Sequence, residues 1–114
     1  MSVSKKAKEL ARLYTYRVFW SEEDQEFVGT CLEFPSLSAL AKDQVEALKE
    51  IDSVVATVVA DMLKSGETLP EAISKQKFKG NMSLRTTPEK HRELVIKAAE
   101  AGVSVNQYIL SKIG

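Results

Sequence analysis

The segment at 78–85 alternates between two kinds of residue. Every second position carries a hydrogen-bonding side chain: Lys79, Asn81, Ser83 and Arg85. The positions between them are apolar or glycine: Phe78, Gly80, Met82 and Leu84. A period of two is typical of a β-strand that buries one face and leaves the other accessible. The accessible face of this predicted strand offers amide, hydroxyl and guanidinium groups, which suit hydrogen bonding to a polar partner.

A first helix is predicted directly after this strand. Thr86 and Thr87 can both cap its start, and Pro88 suits its first turn. Glu89 stands three residues after Thr86, and Gly102 ends the helix. Its apolar positions are Leu94, Val95, Ala98 and Ala99.

A second helix is predicted to begin in “VSVNQY” at 103–108. Ser104 and Gln107 have the spacing of a capping box, in which each side chain bonds the backbone of the other. The apolar stripe of this helix is Ile109, Leu110 and Ile113. The resulting β-α-α segment of about 37 residues is shorter than a lone domain usually needs. It should therefore dimerise, and the simplest dimer pairs the strand with its own copy in a second chain.

The first part of the chain predicts three strands and a long helix. The strands are predicted in three stretches: “YTYRVFW” at 14–20, “EFVGTCLEF” at 26–34 and “PSLSALA” at 35–41. Asp43 and Glu46 predict the helix start, and Gly66 its end. Its periodic apolar positions are Val45, Leu48, Val55, Val58, Val59 and Met62. Residues 66–77 then form a connector with a possible helical turn, and the module boundary is predicted near residue 76.

The charge of the chain is divided unevenly between its two parts. The 114 residues carry 16 Lys and Arg against 16 Asp and Glu, a net charge of zero. Residues 1–75 hold 9 basic and 13 acidic residues, whereas residues 76–114 hold 7 and 3. The net charges of −4 and +4 favour two modules with different partners.

No catalytic or metal-binding set stands out. Glu22, Glu23 and Asp24 lie in a turn that is more typical of a solvated hairpin tip than of a metal site, with Glu26 and Glu33 flanking the second strand. Cys31 is the only cysteine and is interpreted as a buried residue. His91 is the only histidine and is interpreted as a surface residue. Tyr14, Tyr16 and Trp20 are interpreted as hairpin or core aromatics, with a partner interface as the alternative. The sequence predicts no enzyme, no cofactor and no metal.

The cellular compartment is predicted from what the chain does not contain. The lone cysteine excludes an internal disulfide framework, and the basic N-terminus is not followed by an apolar signal-peptide core. The most apolar run, at 54–60, is far shorter than the roughly 20 residues of a membrane span. A soluble cytoplasmic protein is expected.

Two stretches resemble known families. “MSLRTTPEKHRELVIKAAEAGVSVNQYILSKI” resembles a ribbon-helix-helix module of the Arc/MetJ type in its strand, its Pro-containing helix start and its G-x-S-x-N turn. The HicB antitoxin domain is resembled by the first part of the chain, in the stretches “YTYRVFW”, “LEFPSLSALAKDQVEALKEI” and “GETLP”. The combination resembles HicB-type antitoxins with a ribbon-helix-helix tail.

The resemblance implies an α+β protein with two domains. Residues 1–75 would form a partial RNase H-like β-β-β-α(-β) domain that neutralises a toxin. Residues 76–114 would form a β-α-α ribbon-helix-helix domain for dimerisation and DNA binding. The implied partners are a HicA-like RNA-cleaving toxin, operator DNA and a second copy of the chain, with a tetramer as a further state. The alternative is a stand-alone transcriptional regulator whose first domain binds a different partner or ligand.

The resemblance also implies roles for residues of the tail. Base-contacting residues would be Asn81, Ser83 and Arg85, since Asn can bond adenine and Arg can bond guanine through paired hydrogen bonds. Phosphate-contacting residues would be Lys79, Ser104, Val105 and Asn106. The dimer core would contain Met82, Leu84, Leu94 and Ile109.

Overall fold

The structure is a computed structural model that describes residues 3–114. Residues 1 and 2 of the predicted first domain lie outside the described residues. The chain divides into two compact units, a first unit that ends at Lys77 and a second unit that covers Phe78–Gly114. None of the described helices is long and apolar enough to cross a membrane.

The first unit is a mixed α+β arrangement. Its elements are α1 (Lys5–Ala11), β1 (Tyr16–Ser21), β2 (Glu26–Cys31), β3 (Ser38–Ala41), α2 (Gln44–Ser65) and a short 3-10 turn (Ile73–Lys75). The predicted order of three strands and one long helix is confirmed. Helix α1 was not predicted, and the 3-10 turn lies inside the predicted connector.

The three strands form an antiparallel sheet in the order β1-β2-β3. The second and third strands are shorter than predicted, because the chain turns after Cys31. The Phe34 amide donates to the Cys31 carbonyl at 3.3 Å, and the Leu37 amide donates to the Phe34 carbonyl at 3.0 Å. These turn bonds end the predicted strand 26–34 early and delay the predicted strand 35–41 until Ser38. Among the described residues of this unit no fourth strand joins the sheet.

Both predicted ends of α2 are confirmed. The Asp43 side chain accepts a hydrogen bond from the Glu46 amide at 2.8 Å, and Gly66 ends the helix in the left-handed conformation. The buried face differs from the prediction in the first half of the helix. Its buried residues are Ala47, Ile51, Val55, Ala56 and Val59. The predicted apolar positions Val45 and Leu48 are exposed, because a stripe through Ala47 and Ile51 faces the sheet and turns them away.

Helix α1 packs against α2 through small side chains. Ser4 caps its start, and Ala7 and Ala11 are fully buried. The segment after it is fixed by two tyrosines. The Tyr14 hydroxyl donates to the Pro70 carbonyl at 2.8 Å, and the Tyr16 hydroxyl donates to the Ala11 carbonyl at 2.6 Å. Tyr14 is buried and Cys31 belongs to the same core, as predicted for both.

Gly29 lies where the sheet and α2 approach most closely. A Cβ atom at this position would stand 2.7 Å from the Ala47 carbonyl oxygen and 2.8 Å from Ile51 Cγ2. The first of these neighbours is backbone, so α2 itself would have to move. The close contact between layers therefore depends on glycine.

Replacing Gly29 with Ala is expected to lower the free energy of unfolding by about 1–3 kcal/mol, because it overpacks this contact. Strand propensity alone predicts the opposite sign, since glycine within a strand is less favourable than alanine. Urea unfolding followed by the fluorescence of Trp20, the only tryptophan, measures the change. Thr30→Ala is the control, since Thr30 is the next residue and faces away from α2. Equal stability of Gly29→Ala and the unaltered protein would contradict the packing argument.

Glu33 joins three parts of the first unit. Its carboxylate accepts hydrogen bonds from the Thr15 amide at 2.9 Å, the Thr15 hydroxyl at 3.1 Å and the Ile73 amide at 3.0 Å. Partial burial acts to raise the pKa of Glu33, but hydrogen bonds from the Ile73 and Thr15 backbone outweigh it and hold the pKa below its usual range. The ionised carboxylate thus attaches the connector to the start of β1.

The lowered pKa of Glu33 predicts a pH-dependent contribution to stability. A carboxyl whose pKa is lower in the folded state stabilises the fold above the unfolded pKa of about 4.3. This stability is lost as the pH falls through the folded pKa. Glu33→Gln is expected to lower the free energy of unfolding by about 1–2 kcal/mol near neutral pH. The difference should shrink in acid.

Urea unfolding at neutral and acid pH, followed by Trp20 fluorescence, measures this difference. Glu71→Gln is the control, because Glu71 is an exposed carboxylate in the same connector. A Glu33→Gln protein that unfolds like the Glu71→Gln protein at both pH values would show that the carboxylate does not hold the connector.

Candidate functional site

The segment at 78–87 contains no strand in the single chain. A strand requires a hydrogen-bonded neighbour, and the second unit supplies none. Gly80 has a φ of +85°, a left-handed conformation that interrupts the predicted alternation at its start. The single chain therefore forms no strand over 78–85, and the predicted strand, which requires a second copy as its neighbour, stays a prediction. Residues 81–87, which follow the interruption, have no assigned helix, turn or strand.

Helix α3 (Pro88–Ala101) has the predicted ends. Thr87, not Thr86, is the cap, and its hydroxyl accepts from the Lys90 amide at 3.2 Å. Pro88 occupies the first turn, where its missing amide hydrogen costs nothing. Gly102 ends the helix with a φ of +70°, which allows its amide and that of Val103 to bond the last turn.

Helix α4 (Val105–Ile113) begins with the predicted capping box. The Ser104 hydroxyl accepts from the Gln107 amide at 3.1 Å, and the Gln107 side chain accepts from the Ser104 amide at 3.0 Å. The capping box therefore uses the Ser104 hydroxyl oxygen as an acceptor and the Ser104 amide as a donor, whereas the hydroxyl O–H has no acceptor among the described residues. The amides of Val105 and Asn106 have no acceptor among the described residues. At this helix start the free donors are therefore the Ser104 hydroxyl and the amides of Val105 and Asn106.

A wide apolar groove runs through the second unit. It has a volume of about 1020 Å³. All four residues predicted for the dimer core line it: Met82, Leu84, Leu94 and Ile109. Leu110 and Ile113 also line it, as does His91, which was interpreted only as a surface residue and is exposed.

The groove leaves large apolar side chains uncovered. Met82 is 76% exposed and Leu84 is 67% exposed. Within Phe78–Gly114, all of which is described, Ala98 is the only buried residue. A folded unit that buries a single alanine cannot derive its stability from its own core. The groove therefore leaves most of the apolar surface of the second unit exposed in the single chain.

The predicted base-contacting residues are all exposed. Asn81 and Arg85 line the groove together with Met82 and Leu84, whereas Ser83 does not line it. The two predicted faces of 78–85 are thus not separated in the single chain, because no ladder of hydrogen bonds flattens the segment. The assignment of Asn81, Ser83 and Arg85 to bases stays a prediction.

The cations of the second unit differ in their availability. Glu93 bonds Lys97 at 2.9 Å and Lys90 at 3.6 Å. The hydrogen bond between Glu93 and Lys97 lowers the pKa of Glu93 and raises that of Lys97. Lys79 and Arg85 form no ion pair among the described residues. Both are therefore free to meet an anion.

The acidic turn of the first unit is an ordered hairpin tip. Trp20 Nε1 donates to Glu22 at 2.7 Å, and the Ser21 hydroxyl donates to Asp24 at 2.9 Å. Gln25 follows with a φ of 54°. Among the described residues, no group of three or more His, Cys, Asp or Glu side chains is placed to hold a metal.

Comparison with known proteins gives one family. A family model described as the HicB family matches residues 65–113. The match begins at the last residue of α2 and covers the connector, α3 and all of α4, whereas the three strands lie outside it. This part of the chain is therefore similar to the HicB family. Searches of curated proteins and of solved structures gave no match.

Proposed function

We propose that this chain is the antitoxin of a type II, HicAB-like toxin–antitoxin system. Its first unit, as a partial RNase H-like domain, binds and inhibits a HicA-like toxin that cleaves mRNA. Its second unit dimerises as a ribbon-helix-helix module and represses its own operon by binding operator DNA. The chain itself has no catalytic role in this proposal.

The HicB match over residues 65–113 carries the proposal. It falls on the connector and the second unit, the part of the chain in which the groove brings the four predicted dimer-core residues together. A second copy fits this groove, because two identical short segments can pair as antiparallel strands across a two-fold axis. Such a pair supplies the missing ladder of 81–87 and covers Met82 and Leu84.

Charge supports DNA as the partner of the dimer. Residues 76–114 carry a net charge of +4, and a dimer doubles it. Free cations at Lys79 and Arg85 and free amides at the start of α4 provide phosphate contacts. Asn81, Ser83 and Arg85 provide the base contacts in this proposal.

Co-expression with the product of the adjacent gene tests the antitoxin role. We expect the two proteins to purify as a complex, and we expect RNA cleavage by the neighbour to stop once this chain is equimolar with it. Failure to bind any neighbouring gene product, with RNA cleavage unaffected, would contradict this role.

A second candidate function is a stand-alone transcriptional regulator. The HicB match leaves out β1, β2, β3 and nearly all of α2, so the first unit could serve a different partner or ligand. The co-expression experiment separates the two functions, because a stand-alone regulator binds its operator without binding a neighbouring gene product.

A further inference from the structure

The sheet of the first unit has one covered and one uncovered side. Gly29 faces Ala47 and Ile51 of α2, so its neighbours Val28 and Thr30 point the opposite way. We call this opposite side the open face. It contains Arg17, Phe19 and Ser21 of β1, Glu26, Val28 and Thr30 of β2, and Ser38 and Leu40 of β3.

An apolar row crosses the open face. Phe19 pairs with Val28 in the register of β1 and β2, and Val28 pairs with Leu40 in that of β2 and β3. Phe19 is 43% exposed and Leu40 is 49% exposed, whereas Val28 between them is only 9% exposed. Solvated faces of antiparallel sheets are usually polar. A continuous apolar row over three strands is characteristic of an interaction surface rather than of scattered surface residues.

No helix or strand of the described first unit packs over this row. Helix α2 is the only described element of the unit that packs against the sheet, and it does so from the side of Gly29. Helix α1 packs on α2. The row is therefore available to another molecule.

Charge around the open face is mainly negative. At one end Glu26 lies beside the acidic turn of Glu22, Glu23 and Asp24, and Lys42 approaches Glu26 at 3.9 Å. At the other end Arg17 lies over the Phe19 ring, with its guanidinium carbon 5.9 Å from the ring centroid. Because Glu22 bonds Trp20, which lies on the covered side, three carboxylates (Glu23, Asp24 and Glu26) stand against two cations around the open face. The hydrogen bonds of Glu22 and Asp24 fix the turn in place.

We infer that the open face is the surface on which the first unit docks the toxin, with Phe19, Val28 and Leu40 as the apolar centre and the carboxylates as the rim. This inference rests on the proposed function. A protein that cleaves RNA must bind a polyanion, so its binding surface is basic. An apolar centre with an acidic rim complements such a surface and would cover it.

The double variant Phe19→Lys, Leu40→Lys tests the inference. Binding of the purified toxin, identified as the adjacent gene product that purifies with this chain, is measured by calorimetry against the full-length chain. We expect at least about a 100-fold loss of affinity, since two central anchors are removed and positive charge is added. Leu48→Lys is the matched control, because Leu48 is 45% exposed but lies on α2. The control should bind like the unaltered protein.

A second variant keeps the test independent of folding. Glu23→Lys, Glu26→Lys changes only the rim and should weaken toxin binding roughly 10-fold at low salt, with the difference shrinking at high salt. Unfolding followed by Trp20 fluorescence shows whether each variant is folded, since Trp20 packs on Phe27 on the covered side.

The outcomes separate the docking face from the proposed function. Toxin binding by the unaltered protein, together with unchanged binding by both multiple variants, would overturn the docking face alone. Equal losses in the Leu48→Lys control would do the same. A change in the oligomeric state of the toxin-free double variant would assign the row to a second copy of the chain and also overturn it. Absence of toxin binding by the unaltered protein would overturn the proposed function and this inference with it.

Discussion

Replacing Arg85 with Ala is expected to weaken operator binding by about 1–3 kcal/mol and to relax the preference at one base position. A guanidinium on the paired strands can donate two hydrogen bonds to one guanine, and alanine leaves that guanine without them. Fluorescence anisotropy with the DNA upstream of this gene, and with versions that carry single base changes, measures both effects.

Arg92→Ala is the matched control for Arg85→Ala. Arg92 lies on α3, is exposed and forms no ion pair among the described residues, so the substitution removes the same charge from outside the 81–87 segment. It should reduce affinity less and equally for all sequences. If Arg85→Ala binds the operator as the unaltered protein does, or loses affinity without any change in base preference, the 81–87 segment does not read the DNA.

Replacing Leu84 with Lys is expected to abolish the dimer. In the single chain Leu84 is 67% exposed, and a substitution at such a surface position usually changes stability by less than about 0.5 kcal/mol. In the proposed dimer the same side chain is buried beside its two-fold copy, where two unpaired ammonium groups would meet in an apolar core. Sedimentation velocity of the full-length variant should show monomers, and the helical circular dichroism of the second unit should decrease.

Ile96→Lys is the matched control for Leu84→Lys. Ile96 is a large apolar residue that is 50% exposed on α3 and does not line the groove. The Ile96→Lys protein should sediment as the unaltered protein does. Loss of the dimer in both variants would point to a general sensitivity to apolar surface residues rather than to a core formed by the groove.

The helix ends could be predicted from the sequence because capping is local. Backbone groups at the helix ends find their hydrogen-bond partners within a few residues. This holds for the pair Asp43 and Glu46, for the pair Ser104 and Gln107, and for Gly102. These bonds hold in any tertiary context that keeps the helix. The order of strands and helices in the first unit follows from the same kind of local pattern.

The features that the sequence did not predict depend on contacts between residues that lie far apart in the chain. Helix α1 packs through Ala7 and Ala11, and small residues produce no strong apolar pattern. Glu33 reaches Thr15 and Ile73, which are 18 and 40 residues away, so its role is invisible to periodicity. The exposure of Val45 was also unpredictable, because the sheet, rather than the helix, decides which side of α2 is buried.

The segment at 78–85 shows where a correct pattern does not give a structure. Alternation over Asn81–Arg85 describes the two faces that a strand would have, but only a neighbouring strand can form the ladder. Gly80 further limits the strand, because its φ of +85° interrupts the alternation before Asn81. The sequence therefore describes a surface that the single chain does not complete.

Sedimentation equilibrium of the full-length chain at micromolar concentration tests most directly whether a second copy completes the second unit. The proposed dimer predicts a species at twice the 12.7 kDa chain mass, or a multiple of that species. A monomer whose second unit keeps its helices across this concentration range would contradict the account.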